Sequence, residues 1–355
     1  MGVQEPGHWK PARTLLVAVF VALLVYTVIL VFATIPAGAY AVFSGHLSKL
    51  YSYHATVYPY FWIGPAVAYL PAPVSVGVWF SVLTAIYVAF FVYSMRQGRS
   101  PLKAMAASFR EGLGALMSSP FLVTIIAIAF LTFTASIADS LITTAGVPIG
   151  SPSGDPLALL VGFTAAPLTE ELGFRVFFIG VVALILSMGR PWKQALGALW
   201  RPSKALEGLA VGSGAAVIIW VATAFSAVTF GACHVICGGT WDIGKVLETT
   251  YAGVVLGYLY VRYGLHVAVL THWGVDFAGS AFAFFGQAAY GIPWDSSSSE
   301  FFGQYLVDTD MLLLFGLASF ILVMYLVVTK LATRGHPAGT SGFDKGQLER
   351  GAVQT

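Results

Sequence analysis

The sequence has few charged residues and almost no cysteine. Only 10% of its 355 residues are charged, whereas soluble globular chains average about 25%. Its two cysteines, Cys233 and Cys237, lie in one apolar segment, so a disulfide framework is not expected. The formal net charge is +2, and the chain has neither basic runs nor a nucleic-acid-binding motif. These absences exclude a soluble globular protein and a nucleic-acid partner.

Apolar residues make up 57% of the chain and are gathered in long runs. A helix of about 20 apolar residues crosses the hydrocarbon of a bilayer. The sequence therefore predicts an all-α polytopic membrane protein with a bundle of about eight transmembrane helices. The predicted spans are 14–36, 75–95, 121–140, 157–187, 209–235, 246–263, 265–286 and 311–329. The proline-rich apolar segment 57–73 is expected to be re-entrant or interfacial.

One domain holds all of these spans. We expect a polar N-terminal segment at 1–13, the helical bundle at 14–330 and a polar, disordered tail at 331–355. With eight spans, fifteen of the 18 Lys and Arg residues fall on one side of the membrane. The positive-inside rule assigns that side to the cytoplasm, so the chain is expected to be a multi-pass membrane protein with both termini cytoplasmic.

Two adjacent carboxylates and a guanidinium interrupt the apolar run 157–187. They belong to Glu170, Glu171 and Arg175. One charge at the bilayer centre costs about 2.5–3.5 kcal/mol, so three together indicate a functional or tightly paired site. Glu171 and Arg175 are four residues apart on a helix and can pair, whereas Glu170 points about 100° away. These residues alone leave open a structural ion pair beside a stray acid, or a catalytic acid with partners elsewhere.

Two further motifs lie in later predicted spans. Phe230 and His234 are four residues apart near the end of the fifth span, and His272 and Asp276 have the same spacing in the seventh. Residues at this spacing share one helix face. A lone histidine in a span is often only hydrogen-bonded across helices. The remaining histidines are assigned no role, and two other acids near spans are expected to be interfacial or structural: Asp139 and Glu248.

The three motifs read EExxxR, FxxxH and HxxxD, in that order, on separate predicted helices. They resemble the CAAX prenyl protease and bacteriocin-processing family of glutamate intramembrane proteases, whose core of eight helices is also similar. The resemblance implies an intramembrane endopeptidase that cleaves a peptide bond near a membrane-anchored, prenylated CaaX-like C-terminus. Its partners would be the lipid bilayer and a membrane-anchored or lipidated protein or peptide.

The same resemblance implies a role for each motif residue. Glu170 would be the general base, and His234 would help it to bind and activate the attacking water. His272 and Asp276 would stabilise the oxyanion. Many family members have Asn at the position of Asp276, so this carboxylate either is protonated or orients His272 by accepting its ring N–H, which we favour. The other three motif residues would support the site: Glu171, Arg175 and Phe230.

The same residues also suit other chemistries. Zinc is an alternative, because Glu170, His234 and His272 could form a His/His/carboxylate site. However, the chain has no HExxH motif, and Cys233 faces about 100° away from His234 on a helix, so we expect no cofactor and no metal. Two functions of other classes stay open: a catalytically silent membrane scaffold of the same fold, and a proton-coupled transporter that uses the intramembrane acids.

The positive-inside rule and the family resemblance disagree about the side of the membrane from which the site opens. Glu170 lies 20 residues from Arg190 in a basic loop, which is about 30 Å if the chain is helical throughout. The positive-inside rule would then place Glu170 near the outer face. The family resemblance implies access from the cytosol instead, and both possibilities remain open at this stage.

Overall fold

The structure is a computed structural model that describes residues 9–207, 213–237, 240–296 and 309–334. Most of these residues are helical. Two π-helices lie at Glu171–Gly180 and Gly274–Ala278, and two 3-10 helices at Leu113–Ser118 and Gly197–Leu199. The α-helices are, in chain order, α1 (Trp9–Phe43), α2 (Val76–Arg96), α3 (Pro101–Glu111), α4 (Pro120–Thr144), α5 (Pro156–Glu170), α6 (Val181–Leu186), α7 (Trp192–Leu196), α8 (Pro202–Leu206), α9 (Ser213–Ile236), α10 (Ile243–Tyr263), α11 (Leu265–Trp273), α12 (Gly279–Tyr290) and α13 (Thr309–Arg334).

The ends of the chain are described only in part. Helix α1 begins at Trp9, inside the predicted polar segment, and α13 continues to Arg334, past the predicted end of the bundle. Residues 1–8 and 335–355 lie outside the described residues. The proposed division into segment, bundle and disordered tail therefore stays a prediction.

Six stretches of helix within the described residues are long and apolar enough to cross a membrane. They are Pro11–Phe43, Val76–Arg96, Pro120–Thr144, Gly214–Ile236, Leu265–Tyr290 and Leu313–Leu331. The predicted span 157–187 is divided between α5, a π-helix and α6, and α10 has a lower mean hydropathy because it contains Lys245, Glu248 and Arg262. The structure is consistent with a helical polytopic membrane protein, whereas the count of eight spans stays a prediction.

The segment 57–73 departs from the all-α prediction, because it forms β-structure. Strand β1 (Thr56–Val57) pairs with β4 (Val74–Ser75), and β2 (Tyr60–Ile63) pairs with β3 (Ala66–Tyr69), both antiparallel. A two-residue Gly64–Pro65 connection joins β2 to β3, and Gly64 has a φ of +58°. Glycine adopts positive φ at no steric cost, which suits a tight hairpin turn. The expectation of a re-entrant or interfacial segment did not foresee this hairpin.

Helix α11 lies at the centre of the bundle, and every one of its residues is buried. The ring of Trp273 packs against Tyr87 and Phe91 of α2, with centroids 5.4 and 5.7 Å apart. The hydroxyl of Tyr87 donates a hydrogen bond to the carbonyl of Thr164 in α5, at 2.5 Å. Buried aromatic pairs contribute about 0.5–1.5 kcal/mol each beyond their buried area. These contacts fix the position of His272 relative to α2 and α5.

Helices α9 and α10 approach each other closely at small residues. A Cβ atom at Gly253 would lie 2.9 Å from the Cα of Ala227, and one at Gly231 would lie 2.7 Å from the carbonyl oxygen of Val246. Small residues let helix backbones come together in a membrane, where dispersion contacts take over from the hydrophobic effect. Because Gly231 is one turn before His234, this packing determines where that imidazole lies.

Candidate active site

The four residues predicted to act in catalysis line one cavity of about 580 Å³. Glu170 is the last residue of α5, and His234 lies in the last turn of α9. His272 lies near the end of α11, and Asp276 follows in the π-helix Gly274–Ala278. Residues more than 100 positions apart in the sequence thus share one space inside the bundle.

Three carboxylates surround the ring of His272. Its Nδ1 lies 3.0 Å from Oε1 of Glu171, and its Nε2 lies 3.3 Å from Oδ2 of Asp276. Oε2 of Glu170 is 3.8 Å from the same Nε2. A ring nitrogen donates to a carboxylate only when it carries a proton, and a ring that donates from both nitrogens is positively charged. The side chain of His272 is only 8% exposed, so these contacts are little weakened by water.

Glu171 and Arg175 form the ion pair expected from their spacing. The Nε of Arg175 lies 3.3 Å from Oε2 of Glu171, and both side chains are fully buried. The guanidinium also lies over the ring of Phe230, 4.3 Å from its centroid. The sequence reasoning missed the second contact of Glu171, in which its other oxygen reaches His272. Glu171 therefore links the ion pair to the histidine.

Phe230 lies between both histidines of the site. Its ring meets the imidazole of His234 edge-on at 4.7 Å and that of His272 at 5.8 Å. The Nδ1 of His234 lies 2.9 Å from the carbonyl oxygen of Phe230, so Nε2 is the nitrogen left for a ligand. No hydrogen bond joins His234 to Glu170 in the part of the chain that the structure describes.

The backbone at the site departs from α-helical geometry in two π-helices. Glu171 begins one, directly after Glu170, and Asp276 lies inside the other. A π-helical turn has one more residue than an α-helical turn and is frequent at functional sites. The hairpin presses on the first π-helix at Gly173, where a Cβ would lie 2.2 Å from the Cβ of Trp62. The chain has a glycine there because no other side chain fits.

The hairpin and α10 contribute residues that the motifs did not indicate. Tyr60 and Trp62 of β2 line the cavity, as do Lys245 and Glu248, whose charged groups are 2.6 Å apart. Burial raises the pKa of Tyr60 to about 12, with the nearby Glu170 carboxylate as the second cause. Apolar runs on either side of a Gly–Pro pair are a hairpin signal that could have identified β2. Glu248 is therefore part of the cavity rather than only interfacial or structural.

The prediction for the two cysteines was wrong. Cys233 and Cys237 form a disulfide at the end of α9, with Cα atoms 4.8 Å apart, and Cys233 lines the cavity. Four residues along a helix bring both side chains to one face, which permits the bond. Within the described ranges no group of three or more His, Cys, Asp or Glu side chains is arranged to hold a metal ion. The expected absence of a cofactor stays a prediction.

Residues 152–278 match the family model described as Type II CAAX prenyl endopeptidase Rce1-like. Over this range the chain is similar to that family. The Rce1-like range holds all three motifs, from Glu170 to Asp276, and confirms the resemblance seen in the sequence. At family level it supports a membrane protease of the CAAX type, a hydrolase whose substrate is membrane-associated. No curated protein and no solved structure matches the chain.

Proposed function

We propose that this protein is an intramembrane glutamate endopeptidase that cleaves a peptide bond near a membrane-anchored, prenylated CaaX-like C-terminus. One observation carries the proposal. Glu170, His234, His272 and Asp276 come from three separate helical segments of the chain and line a single cavity within the Rce1-like range. A structural role for each charge would not require that they share a space large enough for a peptide.

The reaction begins with a water molecule between Glu170 and His234. Glu170 accepts a proton from the water as its oxygen attacks the peptide carbonyl carbon, and the free Nε2 of His234 orients the water. The carbonyl π-bond opens to a tetrahedral oxyanion. When the C–N bond breaks, the proton passes from Glu170 to the leaving amine, which leaves one new carboxyl and one new amino terminus.

His272 stabilises the oxyanion. The Nδ1 contact with Glu171 holds its ring in place, and the N–H at Nε2, which faces Asp276 in the resting site, is shared with the developing oxyanion and lowers the barrier. Oδ2 of Asp276 lies 3.3 Å from Nε2 in the resting site, which supports the orienting role. The side chains of Tyr60 and Trp62 form an aromatic wall of the cavity, which suits an extended peptide with an apolar anchor.

We further propose that the cavity opens toward the non-cytoplasmic face and that both termini are cytoplasmic. Lys245 lines the cavity, and Arg262, on the basic side of the chain, lies 17 residues further along α10, or about 25 Å. The disulfide of Cys233 and Cys237 supports this orientation, because such bonds persist in oxidising compartments. The scissile bond would then be presented from that leaflet by a lipid anchor.

Cleavage of a farnesylated CaaX peptide by the purified protein in detergent tests the chemistry independently of orientation. Products are identified by mass spectrometry for wild type, Glu170→Gln and Glu207→Gln. The last is the matched control, since exposed Glu207 lies away from the cavity. Loss of cleavage only in Glu170→Gln supports the proposal. A fully active Glu170→Gln protein contradicts it, and a wild type inert toward every lipidated peptide favours the scaffold.

Cysteine labelling of intact cells tests the orientation. Tyr69→Cys in the hairpin, 67% exposed, and Lys103→Cys on α3 are exposed positions on the two proposed sides. Both substitutions are made in a Cys233→Ser/Cys237→Ser background, so that only the introduced cysteine can react. A membrane-impermeant maleimide is expected to label Tyr69→Cys in intact cells and Lys103→Cys only after permeabilisation. The reverse pattern would contradict the orientation.

A further inference from the structure

A second cavity, of about 440 Å³, lies at the other end of α10. Tyr263, the last residue of that helix, lines it, whereas Lys245 in the first turn lines the candidate active site. Leu256 is the residue of α10 nearest to Tyr263 that lines the candidate active site, so the two linings are seven residues, or about 10 Å, apart along this helix. The wall comes from the ends of α2, α10 and α11 and from the connector that holds α7 and α8. We call it the basic cavity.

Four cations and no acid line the basic cavity among the residues described: Arg190, Lys193, Arg201 and Lys204. None of the four forms an ion pair within the described ranges. Arg190 donates to the carbonyl of Glu207 at 2.5 Å, and Arg201 donates to the carbonyl of Arg262 at 3.1 Å. These bonds hold the two guanidinium groups in place but leave their charge uncompensated.

A buried histidine completes the wall. His266 is only 2% exposed, and neither of its ring nitrogens has a hydrogen-bond partner in the described part of the chain. Its ring stacks on Trp200, with centroids 5.6 Å apart, and meets Tyr93 edge-on at 4.8 Å. Buried polar groups are nearly always hydrogen-bonded, so an unpartnered imidazole in a cationic cavity indicates a ligand that accepts hydrogen bonds.

Exposed apolar side chains border the cavity. They belong to the same connector segment that carries Arg190 and Lys193. Met188 is 74% exposed, Trp192 68% and Leu196 46%. Tryptophan is enriched where the hydrocarbon of a bilayer meets its headgroups. Cations beside such residues lie at the depth of lipid phosphates, and basic pockets between transmembrane helices suit anionic headgroups.

We propose that the basic cavity binds a phosphate-bearing group, presented by the headgroup of an anionic phospholipid. Arg190 and Arg201 provide the planar guanidinium groups that recognise phosphate, and Lys193 and Lys204 add charge at the rim. His266 donates to or accepts from the headgroup at the bottom of the cavity. The apolar border receives the first part of the acyl chains.

Titration of a phosphatidylglycerol with a fluorescent acyl chain into the full-length protein in neutral detergent tests this binding. Lys193→Gln/Lys204→Gln removes two cations without touching the backbone contacts of the arginines and is expected to weaken binding about 30-fold. The matched control, Lys103→Gln/Arg110→Gln, removes the same charge from exposed positions of α3 and is expected to bind like wild type. Equal weakening by both variants would overturn the proposal.

A third variant tests the buried imidazole without changing the net charge of the rim. His266→Phe keeps an aromatic ring between Trp200 and Tyr93 but removes both nitrogens. We expect binding to weaken about tenfold while the melting temperature without lipid does not fall. Unchanged binding in both His266→Phe and Lys193→Gln/Lys204→Gln would overturn the proposal.

Competition distinguishes the two sources of the phosphate group. Glycerol phosphate shares the headgroup chemistry but lacks acyl chains, and it is expected to displace the labelled lipid only at far higher concentration. Displacement at equal concentration would support the phosphate site but overturn its assignment to a lipid. Equal binding of labelled phosphatidylcholine, which has no net charge, would overturn the selection for anionic headgroups.

Discussion

Helix α11 holds two buried histidines, His266 and His272, whose surroundings are opposite in kind. His272 lies among the carboxylates of Glu170, Glu171 and Asp276. His266, six residues earlier, lies between two aromatic rings in a cavity lined by cations. The same side chain on the same helix thus serves an acidic cavity at one level and a basic cavity at the other. The neighbours that tertiary packing supplies decide which chemistry an imidazole can support.

The largest expected effect tests the acidic side of this comparison. Glu170→Gln keeps the shape of the side chain but removes the base, and it should lower kcat for peptide cleavage by about 10²–10⁴-fold. His266→Phe serves as its control and should leave kcat unchanged. Kinetics with a farnesylated peptide in neutral detergent measures both. Equal losses in the two variants would break the distinction between the cavities.

The next effect concerns stability. Glu171→Gln leaves the fully buried Arg175 without its counter-charge, and breaking one side of a buried pair costs about 3–5 kcal/mol. The melting temperature of the purified protein should therefore fall strongly. Glu171→Leu/Arg175→Met removes both charges and should recover most of that stability. The double variant should still cleave poorly, because His272 has lost its partner at Nδ1. A double variant as unstable as the single one would contradict this account.

A smaller effect is expected at Asp276. Asp276→Asn retains an oxygen that can accept from Nε2 of His272, so cleavage should fall by less than about tenfold. Asp276→Leu removes that acceptor and should lower kcat much further without a comparable change in KM. Similar activity in the Asn and Leu variants would indicate that Asp276 does not orient His272.

The smallest effect concerns pH and the hairpin. The pKa of Tyr60 is about 12 in the folded protein, against 10.0 for an unperturbed tyrosine. Between pH 10 and pH 12 the folded state therefore keeps the hydroxyl proton of Tyr60, whereas the unfolded chain loses it. The contribution of Tyr60 to the free energy of unfolding is full below pH 10 and is lost as pH rises toward 12. Tyr60→Phe should reduce the alkaline fall in melting temperature. If the melting temperature of Tyr60→Phe falls between pH 9 and pH 11 by as much as that of wild type, the raised pKa of Tyr60 is contradicted.

Sequence reasoning named four residues that line one cavity, but not their neighbours there. The motif spacings placed Glu171 and Arg175 on one face, and the apolar runs indicated most of the helices. The segment 57–73 was not assigned correctly, because its proline content suggested irregular backbone and outweighed the hairpin signal at Gly64–Pro65. Its strands are stabilised by pairing with each other and by contact at Gly173. The disulfide was missed because the sequence argument considered only whether two cysteines in an apolar segment form a disulfide framework. It did not consider that two cysteines four residues apart share one helix face.

The sequence by itself determined the class of protein, the order of the motifs and which residues share a helix face. These follow from composition and from the helical period, which depend only on nearby residues. Only the tertiary structure decided that Glu171 reaches His272, that Tyr60 and Glu248 line the cavity, and that four cations meet around His266. The physical reason is that such contacts join residues far apart in the chain, and packing and two π-helical turns set which faces meet.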